Sequence, residues 1–123
     1  MIPPHPHCRA EHAAMPDLVT YIERQREWSR EAFGPSDRLD GVLEHMRREM
    51  IEVRACPQDA FEWADLIILA LDGAWRQGID PADIVMALSV KQAINRRRRW
   101  PDWRLHGQDV PIEHDRSGEG RPE

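Results

Sequence analysis

Apolar residues recur at helical spacing in four stretches of the chain, and proline or glycine separates each stretch from the next. Positions three and four apart carry the apolar side chains, as in DLVTYIERQREW and LDGVLEHMRREM, and no stretch alternates as a β-strand would. We therefore predict an all-α chain with helices at about residues 15–34, 37–55, 57–77 and 81–99.

The predicted helix ends carry suitable capping residues. Asp17 lies at the start of the first helix, and Gly34 follows its last turn. Ser36 can cap the second helix, and Pro57 suits the first turn of the third. Asp80, followed at once by a proline, is a strong start signal for the fourth helix.

Four helices joined by short loops predict an antiparallel four-helix bundle. The third helix contains LIILAL, whose apolar side chains point nearly all the way round, so neighbouring helices alone would not cover it. We expect a homodimer or tetramer to bury the remaining side. Residues 15–100 form the helical domain in this interpretation, between a flexible segment at 1–14 and an irregular tail at 101–123.

Composition narrows the range of environments and partners. A chain of 123 residues and 14.4 kDa fits one domain, and its net charge of −5 argues against a general nucleic-acid coat. Two cysteines are too few for a disulfide framework. No apolar run reaches the ~18 residues of a membrane span, and the N-terminus lacks the apolar core of a signal peptide. We expect a cytoplasmic protein with no membrane partner.

Two pairs of acids flank the break between the second and third helices. Glu49 and Glu52 precede the break, Glu62 and Asp65 follow it, and each pair has a spacing of three. At roughly 100° per residue, Glu49 and Asp65 fall about 60° from the apolar stripes of their helices. A tight antiparallel hairpin would bring the four carboxylates together beside the core, where unpaired like charges are costly.

Such a cluster needs either raised pKa values or compensating cations. Arg47, Arg48 and Arg54 point elsewhere on the second helix, and no group of histidines and cysteines accompanies the acids. Four hard oxygen ligands suit Mg²⁺ or Mn²⁺ rather than zinc, and His45, one turn away, could orient a ligand. The alternative is a set of ordinary solvated acids at helix ends.

The fourth helix ends in KQAINRRRRW, which offers groups for phosphate. Lys91, Asn95 and Arg98 are spaced by four and three and share one helical face, which suits phosphate oxygens. Two alternatives stay open: the cations complement the helix dipole, or the arginine run binds nucleic acid. Carboxylates for divalent cations and a basic helical face together indicate phosphoryl chemistry on a nucleotide.

These motifs resemble those of the MazG-like all-α nucleoside triphosphate pyrophosphohydrolases. The likeness rests on the two acid pairs and the Lys/Asn/Arg face, and it spans roughly residues 15–114. FGPSDRLDGVLEHMRREMIEV, EWADLIILALDGAWRQG and KQAINRRRRWPDWR are similar, more narrowly, to the phage dATP/dGTP diphosphohydrolases of the MazZ type. The chain departs from many MazG-like proteins in having only nine residues between the acid pairs.

The resemblance implies hydrolysis of a (deoxy)nucleoside triphosphate to the monophosphate and pyrophosphate, with Mg²⁺ or Mn²⁺ as cofactor. It assigns Glu49, Glu52 and Asp65 as metal ligands and Glu62 as a ligand or as the base that orients water. The Lys/Asn/Arg face would hold the β- and γ-phosphates. In related enzymes the site draws on a neighbouring subunit, which agrees with the expected oligomer.

The resemblance also implies a substrate. Phage relatives of this type are associated with genomes that replace adenine by 2-aminoadenine, where the enzyme supplies dGMP. A guanine nucleotide, dGTP or GTP, is therefore the first choice, and the host cytoplasm is the expected location if a phage encodes the chain. Two alternatives stay open: a pyrophosphohydrolase of dATP, dUTP or dCTP that sanitises the nucleotide pool, and a non-enzymatic helical dimer that binds nucleic acid.

The roles of several other residues are less clearly indicated by the sequence. Trp28 and Trp103, near helix or chain ends, are the preferred candidates for stacking on a base, with core or interface packing as the alternative. Asp72 follows Asp65 on one face and could be a ligand, an orienting group or a surface acid. The partners of Arg38 and Arg76 stay open between the acid cluster and phosphate. A zinc site is possible but less favoured at His5, His7, Cys8 and His12.

Overall fold

A computed structural model describes residues 16–116, most of which are helical. The predicted all-α class with four helices is confirmed, and within these residues no β-strand forms beyond an isolated antiparallel bridge between Arg99 and Asp115. The elements are α1 (Leu18–Phe33), α2 (Leu39–Ala55), α3 (Ala60–Arg76), α4 (Pro81–Arg97) and a 3₁₀ turn (Trp103–Leu105).

Several predicted boundaries are confirmed because the capping groups act as expected. The Asp17 carboxylate accepts a hydrogen bond of 2.9 Å from a backbone N–H in the first turn of α1. Gly34 and Gly78, which follow α1 and α3, both take a φ of 86°, a conformation that a β-carbon disfavours. The Asp80 carboxylate accepts a 3.2 Å hydrogen bond from the first turn of α4.

The predicted cap of α2 is wrong. Ser36 does not cap the helix, which begins at Leu39. The Oδ1 atom of Asp37 accepts a 3.0 Å hydrogen bond from the backbone N–H of Leu39 instead. Arg38 occupies the N-cap position with φ 50° and ψ 30°, in the left-handed region. A local aspartate therefore takes over the role predicted for the serine.

Two further boundaries differ from the prediction. Pro57 precedes α3 rather than entering it, because Asp59 is the N-cap and accepts a 2.9 Å hydrogen bond from a first-turn N–H. The last helix ends at Arg97 rather than at Arg99. The reason is that the backbone carbonyl of Arg99 accepts a 2.7 Å hydrogen bond from the Asp115 N–H, which holds this segment in the isolated bridge.

The described chain divides into two compact units between Val85 and Met86. In the first unit, α3 packs against both α2 and α1. Its core gathers Ile22 of α1, Leu71 and Trp75 of α3, and Ile84 from the first turn of α4. Trp75 is 3% exposed, and its indole N–H donates a 2.9 Å hydrogen bond to a glutamine of α1, so its polar edge is satisfied.

The second unit has its own local contacts. The Trp100 indole N–H donates a 2.7 Å hydrogen bond to the backbone carbonyl of Asn95. The His114 ring meets the Trp100 ring edge-on, with centroids 5.7 Å apart. These contacts, together with the Arg99–Asp115 bridge, tie the segment after α4 to the end of that helix.

The buried face of α2 is rotated from the predicted one. Val42 and Val53 are buried as expected, but Leu43 and Met50 are 54% and 52% exposed. Glu49, only 6% exposed, shares the inward stripe with the two valines, at spacings of seven and four. The helix therefore buries Glu49, whereas the apolar pattern predicted burial of Met50.

Part of the apolar surface of α3 stays exposed in the single chain, including Trp63 at 48% and Ile67 at 59%. The predicted homodimer or tetramer would cover such a surface, and it stays a prediction. Among residues 16–116, no helix is both long and apolar enough to cross a membrane. The N-terminal segment with its histidines and Cys8 lies outside the described residues, as does the end of the predicted C-terminal tail.

Candidate functional site

The α2–α3 hairpin brings the predicted acids together. Glu49 and Glu52 lie near the end of α2, and Glu62 lies in the first turn of α3. A carboxylate oxygen from each of these three residues lies within 4.8 Å of the others. Asp65, one turn further along α3, stands outside this tight group but is near enough to act on Glu49 electrostatically. These four residues are called the acid cluster below: three of them form the tight group, Asp65 lies beside it, and their role as a site stays a prediction.

Burial makes the acid cluster electrostatically unfavourable on its own. The pKa of Glu49 is raised to about 7, chiefly by burial and further by Glu62, Glu52 and Asp65. Glu62 raises this pKa because two facing carboxylates can hydrogen-bond only when one of them carries a proton. Within the described residues, Glu49 Oε1 and Glu62 Oε2 are buried and have no hydrogen-bond partner. These oxygens require either protons or a cation.

The nearby arginines do not compensate this charge. Arg47 donates hydrogen bonds of 2.9 and 2.8 Å to the carboxylate of Glu44, and Arg48 adds one of 3.2 Å. These contacts hold the pKa of Glu44 down at about 2. The prediction that the arginines point away from the acid cluster is thus confirmed for both.

The donor set fits a divalent cation. Three carboxylates with oxygens within 4.8 Å of one another offer hard ligands in a small volume, which Mg²⁺ and Mn²⁺ prefer. Glu49 and Glu62 also each have a buried oxygen without a hydrogen-bond partner among the described residues, and a bound cation would satisfy such an oxygen. Glu52 is exposed, so the cluster is open to solvent on one side.

A pocket of about 380 Å³ opens beside the acid cluster and is referred to below as the hairpin pocket. Its volume lies within the range of roughly 300–1,000 Å³ that small-molecule sites occupy. Glu49 and Asp65 belong to its wall, and α1 contributes Trp28 and Phe33 to the lining. Each of the three helices contributes a stripe of residues three or four positions apart, so the pocket follows directly from helical packing.

A buried polar network lies at the far end of the hairpin pocket. The Arg76 Nε donates a 2.7 Å hydrogen bond to Asp72, and this ion pair is almost fully buried. Ser29 and Gln25 of α1 also donate to the Asp72 carboxylate. Burial alone would raise the pKa of Asp72, but the hydrogen bonds from Ser29, Arg76 and Gln25 lower it below its ordinary value. Asp72 therefore anchors the fold at this end.

The same arginine also holds the loop between α1 and α2. One terminal nitrogen of Arg76 donates hydrogen bonds of 2.8 and 2.7 Å to the backbone carbonyls of Gly34 and Ser36. The other reaches the hydroxyl of Ser29 at 2.9 Å. The sequence had left the partner of Arg76 open between acids and phosphate, and the structure assigns it to Asp72 and this loop.

Sequence reasoning missed three residues that line the hairpin pocket. Gln25, Ser29 and Gly41 line it, and none of them was singled out. One signal was present: Gln25 and Ser29 interrupt the apolar face of α1 one turn apart, on the side that carries Ile22. The contacts that fix their roles join residues more than forty positions apart, which no local pattern displays.

The predicted phosphate-binding residues lie in the second unit. Lys91 and Asn95 are one turn apart on α4, and Arg98 follows the last helical residue. The Arg98 guanidinium donates a 3.5 Å hydrogen bond to the Asn95 side-chain oxygen, so these two side chains are neighbours. Lys91 is exposed, whereas Asn95 and Arg98 are half-buried. The shared face is therefore observed, and its role stays a prediction.

The two stacking candidates have different surroundings. Trp28 lines the hairpin pocket and meets Phe33 edge-on, with ring centroids 5.6 Å apart. Trp103 opens the 3₁₀ turn of the second unit and is 65% exposed, with the Arg104 guanidinium 4.7 Å above its ring. Both roles stay predictions, and Trp28 has the more suitable surroundings because it belongs to a pocket wall.

The fold and the site together define an all-helical protein with a carboxylate cluster on a helical hairpin, beside a pocket of ligand size. Comparison with known families gives the more specific identification. The dATP/dGTP pyrophosphohydrolase family matches residues 21–118, and the chain belongs to this family. By its name, the family consists of hydrolases that act on the acid anhydride bonds of nucleotides.

A curated relative supports the assignment. The chain is 34% identical over 118 residues to the Eaa protein of Salmonella phage P22, an alignment that covers 80% of this chain. It covers 37% of the phage protein, so the chain spans little more than a third of that relative's length. No solved structure shows a significant match.

Proposed function

We propose that this chain is a metal-dependent diphosphohydrolase that converts a purine (deoxy)nucleoside triphosphate into the monophosphate and pyrophosphate. The first choice of substrate is dGTP or GTP. The observation that carries the proposal is the acid cluster, in which buried oxygens of Glu49 and Glu62 have no hydrogen-bond partner among residues 16–116. Membership of the dATP/dGTP pyrophosphohydrolase family supports the reaction and a purine base.

Glu49, Glu52, Glu62 and Asp65 are the residues that would hold Mg²⁺ or Mn²⁺. When bound, such ions would neutralise phosphate charge and make water a stronger nucleophile at neutral pH. Cation binding would also remove the cost of gathering ionised carboxylates in a partly buried position. Glu62 either belongs to the ligand set or accepts the proton of the attacking water, since its carboxylate lies beside that of Glu49.

The reaction itself balances without any further reactant. Water attacks the α-phosphorus, the bond from this phosphorus to the oxygen that bridges to the β-phosphorus breaks, and pyrophosphate leaves. The chain would orient the nucleotide so that its α-phosphate lies at the acid cluster and its nucleoside enters the hairpin pocket. Lys91, Asn95 and Arg98 are proposed to bind the β- and γ-phosphates.

A biological role follows from the resemblance rather than from the site. In a phage that replaces adenine by 2-aminoadenine, the dGMP released by this reaction would supply the synthesis of the modified nucleotide in the host cytoplasm. The relative from phage P22 makes a phage setting reasonable. Hydrolysis of dATP, dUTP or dCTP for pool sanitation is the alternative within the same reaction.

The test is an incubation of the purified full chain with dGTP, GTP, dATP, dUTP or dCTP, each with Mg²⁺ or Mn²⁺, and separation of products by ion-exchange chromatography. Glu52→Gln is the test variant, and Glu44→Gln is the matched control, because Glu44 lies on the same helix but is paired with arginines. We expect monophosphate and pyrophosphate from a purine substrate, lost in Glu52→Gln and retained in the control.

Absence of turnover with every triphosphate and both metals would refute the hydrolase. Full activity in Glu52→Gln would refute the assigned site. In the first case the alternative of a helical nucleic-acid-binding dimer gains weight, because Arg96 and Arg97 are exposed at the end of α4. That alternative predicts no dependence on divalent cations.

A further inference from the structure

The hairpin pocket has two chemically different ends. Because α2 and α3 run antiparallel, Glu49 and Asp65 face each other at one end, and Arg38 and Arg76 mark the other. Arg38, the N-cap of α2, lies eleven positions before Glu49, which corresponds to about 16 Å at the rise of a helix. The positive charge of Arg76 is already paired with buried Asp72. Arg38 is therefore the cation that this end presents to a ligand.

The Arg38 guanidinium is oriented by its surroundings. One terminal nitrogen donates a 3.1 Å hydrogen bond to the backbone carbonyl of Phe33, and the group lies 5.3 Å from the centroid of the Phe33 ring. Trp28 supports that ring from the side. These contacts use one nitrogen and one face of the guanidinium, so N–H groups remain that can donate to a ligand in the pocket.

The backbone at this position is also held in place. Among residues 16–116, Arg38 is the one residue other than glycine with a positive φ, and this conformation is unfavourable for a residue with a β-carbon. The carbonyls of Gly34 and Ser36, just before it, accept hydrogen bonds from the buried Arg76. Strain that the surroundings maintain is typical of functional positions.

We propose that Arg38 determines base specificity by donating two parallel hydrogen bonds to O6 and N7 of guanine. The inference rests on the proposed function, in which the phosphates lie at the acid cluster and the base extends toward the opposite end of the pocket. A guanidinium only donates hydrogen bonds. The edge of guanine that carries O6 and N7 presents two acceptors, whereas the same edge of adenine presents one acceptor, N7, and one amino donor, N6. Such a pair favours the correct base by about five- to 150-fold.

The decisive variant is Arg38→Gln, because a glutamine amide pairs with N6 and N7 of adenine in the way that arginine pairs with guanine. The measurement is kcat/KM for dGTP and for dATP with the same preparation, so a loss of folded protein cancels in the ratio. We expect the dGTP/dATP ratio to fall at least tenfold while dATP hydrolysis persists. Arg24→Gln on α1 is the matched control and should leave the ratio unchanged, because Arg24 lies outside the hairpin pocket.

A modified substrate tests the contact at the level of one atom. In 7-deaza-dGTP a C–H group replaces N7, which removes one of the two proposed acceptors. The unmodified chain should hydrolyse 7-deaza-dGTP about fivefold less efficiently than dGTP or worse, and Arg38→Met, whose side chain has no hydrogen-bond donor, should treat the two substrates alike. An equal penalty in both proteins would overturn the contact with N7.

The outcomes separate this inference from the proposed function. If the unmodified chain hydrolyses purine triphosphates but Arg38→Gln lowers dGTP and dATP hydrolysis equally, Arg38 binds phosphate or supports the fold, and the inference is overturned. An unchanged dGTP/dATP ratio overturns it as well. If the unmodified chain hydrolyses no triphosphate, the proposed function itself fails, and the inference fails with it.

Discussion

Replacing Glu49 by glutamine should stabilise the metal-free protein at alkaline pH while it removes the proposed metal affinity. The side chain is 6% exposed, and oxygens of Glu52 and Glu62 lie within 4.8 Å of its own carboxylate. An amide of the same shape fills the same space without charge, and it can donate hydrogen bonds to the neighbouring carboxylates. The substitution therefore removes repulsion at little cost in packing.

The size of the gain follows from Coulomb's law. Two unit charges ~5 Å apart at an effective dielectric constant of about 20 repel by roughly 3 kcal/mol. Glu52 is exposed and Glu62 is half-buried, so solvent reduces both repulsions. We expect a net increase of about 1–2 kcal/mol in the free energy of unfolding at about pH 8, where Glu49 is ionised.

The gain should depend on pH in a defined direction. The pKa of Glu49 is raised from 4.5 to about 7 in the folded chain, chiefly by burial, so the folded state binds more protons than the unfolded state. The stability of the metal-free protein should therefore fall as the pH rises from about 4.5 to about 7. Near the lower end of this range Glu49 is protonated and resembles glutamine, so the variant should gain little there.

Urea denaturation in EDTA at about pH 5 and about pH 8 measures both effects through the linear dependence of unfolding free energy on denaturant. Glu44→Gln is the control, since Glu44 bonds two arginines and its removal should produce no gain at alkaline pH. The reasoning is refuted if Glu49→Gln is no more stable than the unmodified chain at about pH 8, or if it gains equally at both pH values.

Metal addition should reverse the order of stabilities. A cation that binds the folded state at a hundred times its dissociation constant adds about 2.7 kcal/mol to stability. The unmodified protein should gain stability with increasing Mg²⁺ or Mn²⁺ at about pH 8, and Glu49→Gln should gain much less. Equal stabilisation of both proteins would remove Glu49 from the metal site, whatever the activity assay shows.

Three other variants test other parts of the structure. Arg76→Met should lower the free energy of unfolding by about 3–5 kcal/mol in urea denaturation, because it leaves Asp72 buried without its partner, and the double variant with Asp72→Leu should recover part of the loss. Gly41→Ala should raise stability by about 0.5–1 kcal/mol, since nothing lies within 4 Å of the added carbon, whereas Gly41→Leu should raise KM for the nucleotide by filling the hairpin pocket. Ile67→Glu should shift sedimentation toward the monomer if the exposed face of α3 is an oligomer interface, and an unchanged profile would argue against that interface.

The sequence predicted the features that depend on neighbouring residues. Proline and glycine fixed the number of helices, and Asp17, Gly34 and Asp80 marked their ends because their effects extend over a single turn. The acid cluster was also predictable, since two helices joined by a short loop bring the residues on either side of the loop together. Ser36 failed as a cap because the adjacent Asp37 competes for the same backbone N–H, and their spacing alone does not rank them.

The features that were not predictable depend on long-range packing. The rotation of α2 that buries Glu49 instead of Met50 is set by the surface of α3, not by the average hydrophobicity of α2. The interpretation of Asp72 stayed open because its partner Ser29 lies 43 residues away. The left-handed conformation of Arg38 likewise depends on a loop that Arg76 holds from another helix.

The two charged ends of the α2–α3 hairpin have opposite effects on the packing of these helices. One end favours their separation, and the other holds them together. At one end, acids approach Glu49 while Arg47 and Arg48 are bonded to Glu44 instead, and the repulsion between the acids favours separation of the helices. At the other end, Arg76 joins Asp72 to α1 and to the loop before α2, which holds the same helices in place. Helices transmit position along their length, so the anchored end holds the acids together in the place where the proposed cation would bind. A variant that weakens the anchor, such as Arg76→Met, should therefore lower affinity for Mg²⁺ as well as stability, although it touches none of the proposed ligands.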